Sequence, residues 1–121
     1  MISSSKDKYL WEIYTNLNEE GYTRVSQLAK SLQVSAPSVS KMAKKLSEEE
    51  YITFQRYGII TLTEKGLEIG KQLQEQHEYL VRLLRLMGIE DNQIQNELKN
   101  IEFCMSARLK NKIKEFVLNN S

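Results

Sequence analysis

Along most of this chain the apolar residues recur at the three- and four-residue steps of a helix. Tyr9, Leu10, Ile13, Tyr14 and Leu17 form one such stripe over residues 6–19, and Gly21 ends it. Val25 follows as a short hydrophobic bridge, and Ser26 can cap a second helix to Leu32 that turns Leu28, Ala29 and Leu32 inward. Gln33-Val34-Ser35 is a tight turn into a third helix, on which Val39, Met42, Ala43 and Leu46 share the inner face. The period then changes. Ile52-Thr53-Phe54-Gln55 and Ile59-Ile60-Thr61-Leu62 are rich in β-branched and aromatic residues that nearly alternate, so they predict two strands joined by Arg56-Tyr57-Gly58. Two short helices joined by a tight turn and followed at once by a hairpin predict a winged helix-turn-helix.

Thr63 can cap a long helix that runs to about Met87 and stops at Gly88. A winged-helix core needs only the start of that helix. Its remaining apolar residues, Leu73, Leu80, Leu83, Leu84 and Met87, predict the seam of a symmetric homodimer, the other reading being packing against the C-terminal helices of the same chain. Two further helices are expected, over residues 90–103 with Ile94, Leu98, Ile101 and Met105 inward, and over residues 107–118 with Leu109, Ile113, Phe116 and Val117 inward and Ser106 as cap. The fold expected is mostly α with a small β-hairpin. Residues 1–70 would form a winged-helix DNA-binding domain and residues 71–121 a helical dimerisation domain, with the linking helix over about 64–87.

The 121 residues are 40% hydrophobic and 27% charged, ordinary values for a globular protein. A net charge of +1 means that any case for nucleic acid must rest on a local patch. One patch stands out. On the outer arc of the third helix lie Ser35, Ala36, Pro37, Ser38, Ser40, Lys41, Lys44 and Lys45, which hold three cations and no acid. Ser35 is a good N-cap, Pro37 sits where no helical amide bond is lost, and the small residues let the backbone approach a phosphate. Arg56 and Tyr57 at the hairpin tip would reach a flanking phosphate or the minor groove. A solvated lysine face is the bland alternative; the hairpin directly behind it tips the reading to double-stranded DNA. The acidic run Glu48-Glu49-Glu50 would then mark the side turned away.

Cys104 is the only cysteine, which excludes an internal disulfide and suits a reducing cytoplasm. No apolar run is long enough for a bilayer and no signal peptide is expected, so the expected location is cytoplasmic, away from membranes. One histidine, no nucleophile–base constellation and no phosphate loop argue against an enzyme.

Taken together, Ile13-Tyr14, Gly21-Tyr22-x-Arg24-Val25-Ser26, Ser38-Val39-x-Lys41-Met42, Lys45-Leu46, Glu50-Tyr51, Leu62-Thr63-x-x-Gly66, Ile69-Gly70, His77-Glu78, Gly88, Ile101-Glu102 and Ser106 resemble the diphtheria-toxin-repressor family of metal-dependent repressors, most closely its manganese transport regulator subgroup. The resemblance covers nearly the whole chain. It implies a winged helix plus a helical dimerisation domain, without the further C-terminal domain of the iron-dependent subgroup. It also implies a divalent metal held between the first helix and the dimerisation domain.

The family's metal-ligand positions fall on Lys8, Trp11, His77, Lys99, Glu102 and Phe103. Only His77 and Glu102 are donors of the expected kind, and nearby Asp7 and Glu12 sit on other sides of their helix. Two ammonium groups would repel a dication. The expectation is therefore no cofactor and no metal, with weak residual divalent binding through His77 and Glu102 at most. Lys8 or Lys99 would pair with Glu102, and Trp11 and Phe103 would fill the emptied pocket and stack. The leading reading is a dimeric, sequence-specific repressor independent of metal. A second is an interaction protein that forms mixed dimers with a paralogous, truly metal-dependent regulator. A third keeps an effector, either a small molecule or a redox signal at Cys104.

Overall fold

The structure is a computed structural model that describes residues 4–120. The elements run α1 (Ser4–Thr15), β1 (Tyr22–Arg24), α2 (Val25–Leu32), α3 (Ala36–Glu48), β2 (Ile52–Phe54), β3 (Ile59–Leu62), α4 (Glu64–Leu86), α5 (Asp91–Ile101) and α6 (Ala107–Asn120). The chain divides into two compact units, Met1–Lys71 and Gln72–Ser121. No helix among the described residues is long and apolar enough to cross a membrane.

The first unit is built on the stripes that the sequence spells. Leu10 and Ile13 of α1, Leu28 of α2, Val39, Ala43 and Leu46 of α3, and Ile52 and Ile60 of the sheet are all buried. Full burial stabilises each large aliphatic side chain by roughly 1.5–3 kcal/mol. The sheet has three strands, not two, in the order β1-β3-β2 and antiparallel throughout. Tyr22 faces Thr61, and Ile52 faces Leu62. β1 is only three residues long, too short to show a period, and its partner strand lies far along the chain. Close packing in this unit demands glycine at two places. A Cβ on Gly66 would lie 1.9 Å from the Tyr51 carbonyl oxygen, and one on Gly70 2.3 Å from the Tyr14 ring.

Two local expectations change. α1 stops at Thr15 and not at Glu19, because the Asn18 side chain accepts hydrogen bonds from the amides of Glu20 and Tyr22 at 3.0 and 3.1 Å and turns the chain. Ser26 does not cap α2, which begins at Val25 with Arg24 extended before it and no side-chain cap. The other caps hold. The amide of Gly66 donates to Thr63 Oγ1 at 3.1 Å, and that of Leu109 to Ser106 Oγ at 3.2 Å.

The second unit closes on Leu80, Leu84, Ile94, Leu98, Ile113 and Val117, with Leu83 and Met105 partly buried against them. This corrects the residues assigned to the dimer seam. Leu80 and Leu84 are buried and Leu83 half-buried because α5 and α6 cover that part of α4, and Leu73 is buried too; of that set only Met87 is exposed, at 65%. Conversely, Ile101, Leu109 and Phe116 were expected inward and are exposed. A three- to four-residue period fits either of two adjacent faces on a short helix, and Ile113 and Val117 take the inner one.

Candidate nucleic-acid interface and the metal-ligand positions

α3 is held at both ends by its own sequence. Ser35 is the N-cap, its hydroxyl accepting from the amide of Ser38 at 3.2 Å and lying 2.8 Å from the Ser38 hydroxyl. Pro37 occupies the first turn. With Val39, Ala43 and Leu46 buried, the opposite arc carries Ser35, Ala36, Pro37, Ser38, Lys41, Lys44 and Lys45 into solvent; Ser40 and Met42 are half-buried at its margin. Among the described residues, none of Lys41, Lys44, Lys45 and Arg56 makes an ion pair. Their charge is available to an external anion, and the N-terminus of α3, at Ser35–Ser38, favours one as well.

One acid at the far end of α3 is engaged elsewhere. Glu49 forms an ion pair with Lys6 of α1, and its carbonyl accepts from Lys65 Nζ at 3.0 Å. Lys65 also lies 4.2 Å from the centre of the Tyr51 ring. The Glu50 carbonyl accepts from the Thr63 hydroxyl at 2.6 Å. Sequence reasoning missed this tie, since Lys6 and Glu49 are 43 positions apart and carry no local signal.

Between β2 and β3, Arg56–Gly58 forms a single 3-10 turn. Tyr57 has φ 63° and ψ 23°, and 86% of it is exposed. A left-handed backbone is unfavourable for a residue with a side chain, and this one holds an aromatic ring out from the hairpin tip. Arg56 is exposed beside it.

The metal-ligand positions are shared between the two units. Lys8, exposed, and Trp11, half-buried, lie on α1 in the first. His77 on α4, Lys99 on α5, Glu102 at the end of α5 and Phe103 just beyond it lie in the second. There His77 Nδ1 is 2.5 Å from Glu102 Oε1, and both side chains are largely buried, at 15% and 12% exposure. The expected ion pair of Glu102 with a lysine is thus replaced. Among the described residues Lys8 and Lys99 form none, and the buried carboxylate is met by the imidazole that shares its core. Also among the described residues, no three His, Cys, Asp or Glu side chains are grouped so as to hold a metal ion. Cys104 is exposed and in no disulfide.

Residues 1–60 match the family described as iron dependent repressor, N-terminal DNA binding domain. Over its length the chain is similar to the HTH-type transcriptional regulator MntR of Bacillus velezensis and of Bacillus subtilis, each 40% identical over 106 residues that make up 88% of this chain and 75% of theirs. Among solved structures it is similar to the manganese regulator SloR, at 27% identity with a TM-score of 0.73 over 96% of this chain and 54% of that one. It is also similar to ScaR with bound zinc, at 26% identity and a TM-score of 0.72 over 93% of this chain and 53% of that one. The chain spans about half the length of SloR and ScaR.

Proposed function

Since this chain belongs to the diphtheria-toxin-repressor family of DNA-binding transcriptional repressors, in its MntR-like branch, and is no enzyme, we propose that it represses as a homodimer whose DNA binding needs no metal ion. The observation that carries the proposal is the hydrogen bond between His77 and Glu102. Manganese and its neighbours ask for about six oxygen and nitrogen donors around one point. Here two donors remain at the family's positions, and each already satisfies the other. Lysines stand at two more of those positions, Lys8 and Lys99, where a carboxylate would attract a dication and an ammonium repels it. The donor set therefore does not fit the family's metal, and no step is routed through one.

In metal-dependent relatives the ion would favour the DNA-binding conformation by cross-linking elements. In this chain a direct bond from α4 to the end of α5 supplies such a link within the second unit. Lys41, Lys44 and Lys45 contribute salt-dependent affinity for phosphates. Ser35, Ala36, Pro37, Ser38 and Ser40 bring the backbone close and set register in the major groove, and Arg56 and Tyr57 reach the flanking groove. Met87, with Leu86, Leu109 and Phe116, supplies outward apolar surface for a second copy.

Titration of labelled promoter DNA with the purified protein, first in chelator and then with manganese added, tests this. Tight, sequence-specific binding in chelator, unchanged by manganese, supports the proposal. Binding that appears only with manganese overturns it and requires another metal site. No binding in either condition overturns it too, in favour of mixed dimers or a different effector.

A further inference from the structure

The second unit contains a cavity of about 180 Å³ between α4 and α6, apart from the His77–Glu102 pair. We propose that it is a binding site for a small organic carboxylate with an apolar body. Three features of its lining define that ligand. The inner wall is apolar, with Leu80 and Ile113 buried and the half-buried ring of Tyr79 beside them. The rim carries primary amides from Gln72, Gln76 and Asn111. Among the described residues these three side chains make no hydrogen bond, so their donors and acceptors are open to a guest.

The charge of the cavity sorts into a spent pair and a free cation. Glu75 takes Lys114 at 3.2 Å, a pair that matches one acid to one cation, and this carboxylate holds the Lys114 ammonium above its ordinary range. Lys114 also lies 5.6 Å from the centre of the Tyr79 ring. Lys110 is half-buried and makes no ion pair among the described residues. One unspent cation beside an apolar wall calls for one negative charge on an apolar body. A zwitterion would need a second free acid, which Glu75 does not supply. At about 30 Å³ per water the space equals roughly six waters, enough for a ligand of about six to ten non-hydrogen atoms. A carboxylate on Lys110 with an amide partner makes the charge-assisted kind of hydrogen bond, and its apolar end leaves water against Leu80 and Ile113. Bound there, the ligand bridges α4 and α6.

The test is calorimetric titration of the full chain with benzoate, with benzamide as its neutral isostere and inorganic phosphate as an anion without an apolar body. Saturable heat for benzoate alone is expected, with affinity falling about tenfold or more in Lys110→Gln. Gln76→Leu, which removes one of the rim amides without changing charge, should weaken it too, and Lys112→Gln, the same charge change on another face of α6, should leave it within about twofold. Absence of saturable benzoate binding overturns the proposal. So does binding that phosphate reproduces, that benzamide matches, or that Lys110→Gln leaves intact. No arm uses DNA or metal, so this result is independent of the operator titration.

Discussion

The basic arc of α3 in the first unit and the ion pairs of the second unit handle charge differently. On the first, Lys41, Lys44 and Lys45 of the outer arc of α3 make no ion pair among the described residues, while Glu49, just past the end of that helix, pairs with Lys6. On the second, His77 meets Glu102, Arg85 meets Asp91, Lys112 meets Glu115 and Lys114 meets Glu75. A net charge of +1 conceals this division. A cluster of unneutralised cations on one helix face favours a polyanion, whereas cations matched by nearby acids hold the fold or are solvated. Within the second unit, two of the family's ligand positions, His77 and Glu102, are bonded to each other.

The largest effect should come from reversing the unpaired charges. Lys41→Glu with Lys44→Glu should lower operator affinity by roughly 100-fold or more and flatten the dependence of log affinity on log salt by about two units. Thermal unfolding should barely move, since both side chains are exposed and unpaired. Unchanged affinity in a binding titration would erase the contrast between the units.

That contrast was only half legible in the sequence. The helix pair, the capped and basic α3, the hairpin and the long α4 follow from local signals such as period, cap residues and β-branched runs. Ser35, Thr63 and Ser106 each cap as their positions foretell. β1 was missed because three residues carry no period. The Lys6–Glu49 and His77–Glu102 pairs join positions 43 and 25 apart, and nothing local selects one partner over another. The apolar faces of α4 and α6 were assigned the wrong way round in part. Periodicity shows that a face is apolar but not what covers it, and here α5 and α6 bury Leu80 and Leu84 while Leu109 and Phe116 stay exposed.

Next in size is Glu102→Ala. It leaves a largely buried imidazole without its acceptor and should cost about 2 kcal/mol in urea unfolding, with Glu102→Gln costing less because an amide still bonds the ring. A neutral outcome for Glu102→Ala would mean that the pair does not hold α4 to the end of α5. Ser35→Ala should cost about 1 kcal/mol, the usual worth of an N-cap. It should also weaken operator binding, because the first turn of α3 frays where the backbone approaches DNA. Stability lost without any loss of binding would remove that turn from the interface.

The smallest effect is the control that gives the others meaning. Lys112 and Glu115 are 3.4 Å apart, one turn along α6, and 71% and 64% exposed. Water screens such a pair, and holding two long side chains in one geometry costs entropy, so Lys112→Ala should change stability by no more than about 0.3 kcal/mol. Operator affinity should also stay within about twofold, though the substitution removes the same unit of charge as a change at Lys41. If affinity instead fell as far as for Lys41→Ala at matched salt, DNA would be sensing the total charge of the molecule. Equal unfolding midpoints with unequal DNA affinities locate recognition on the arc of α3.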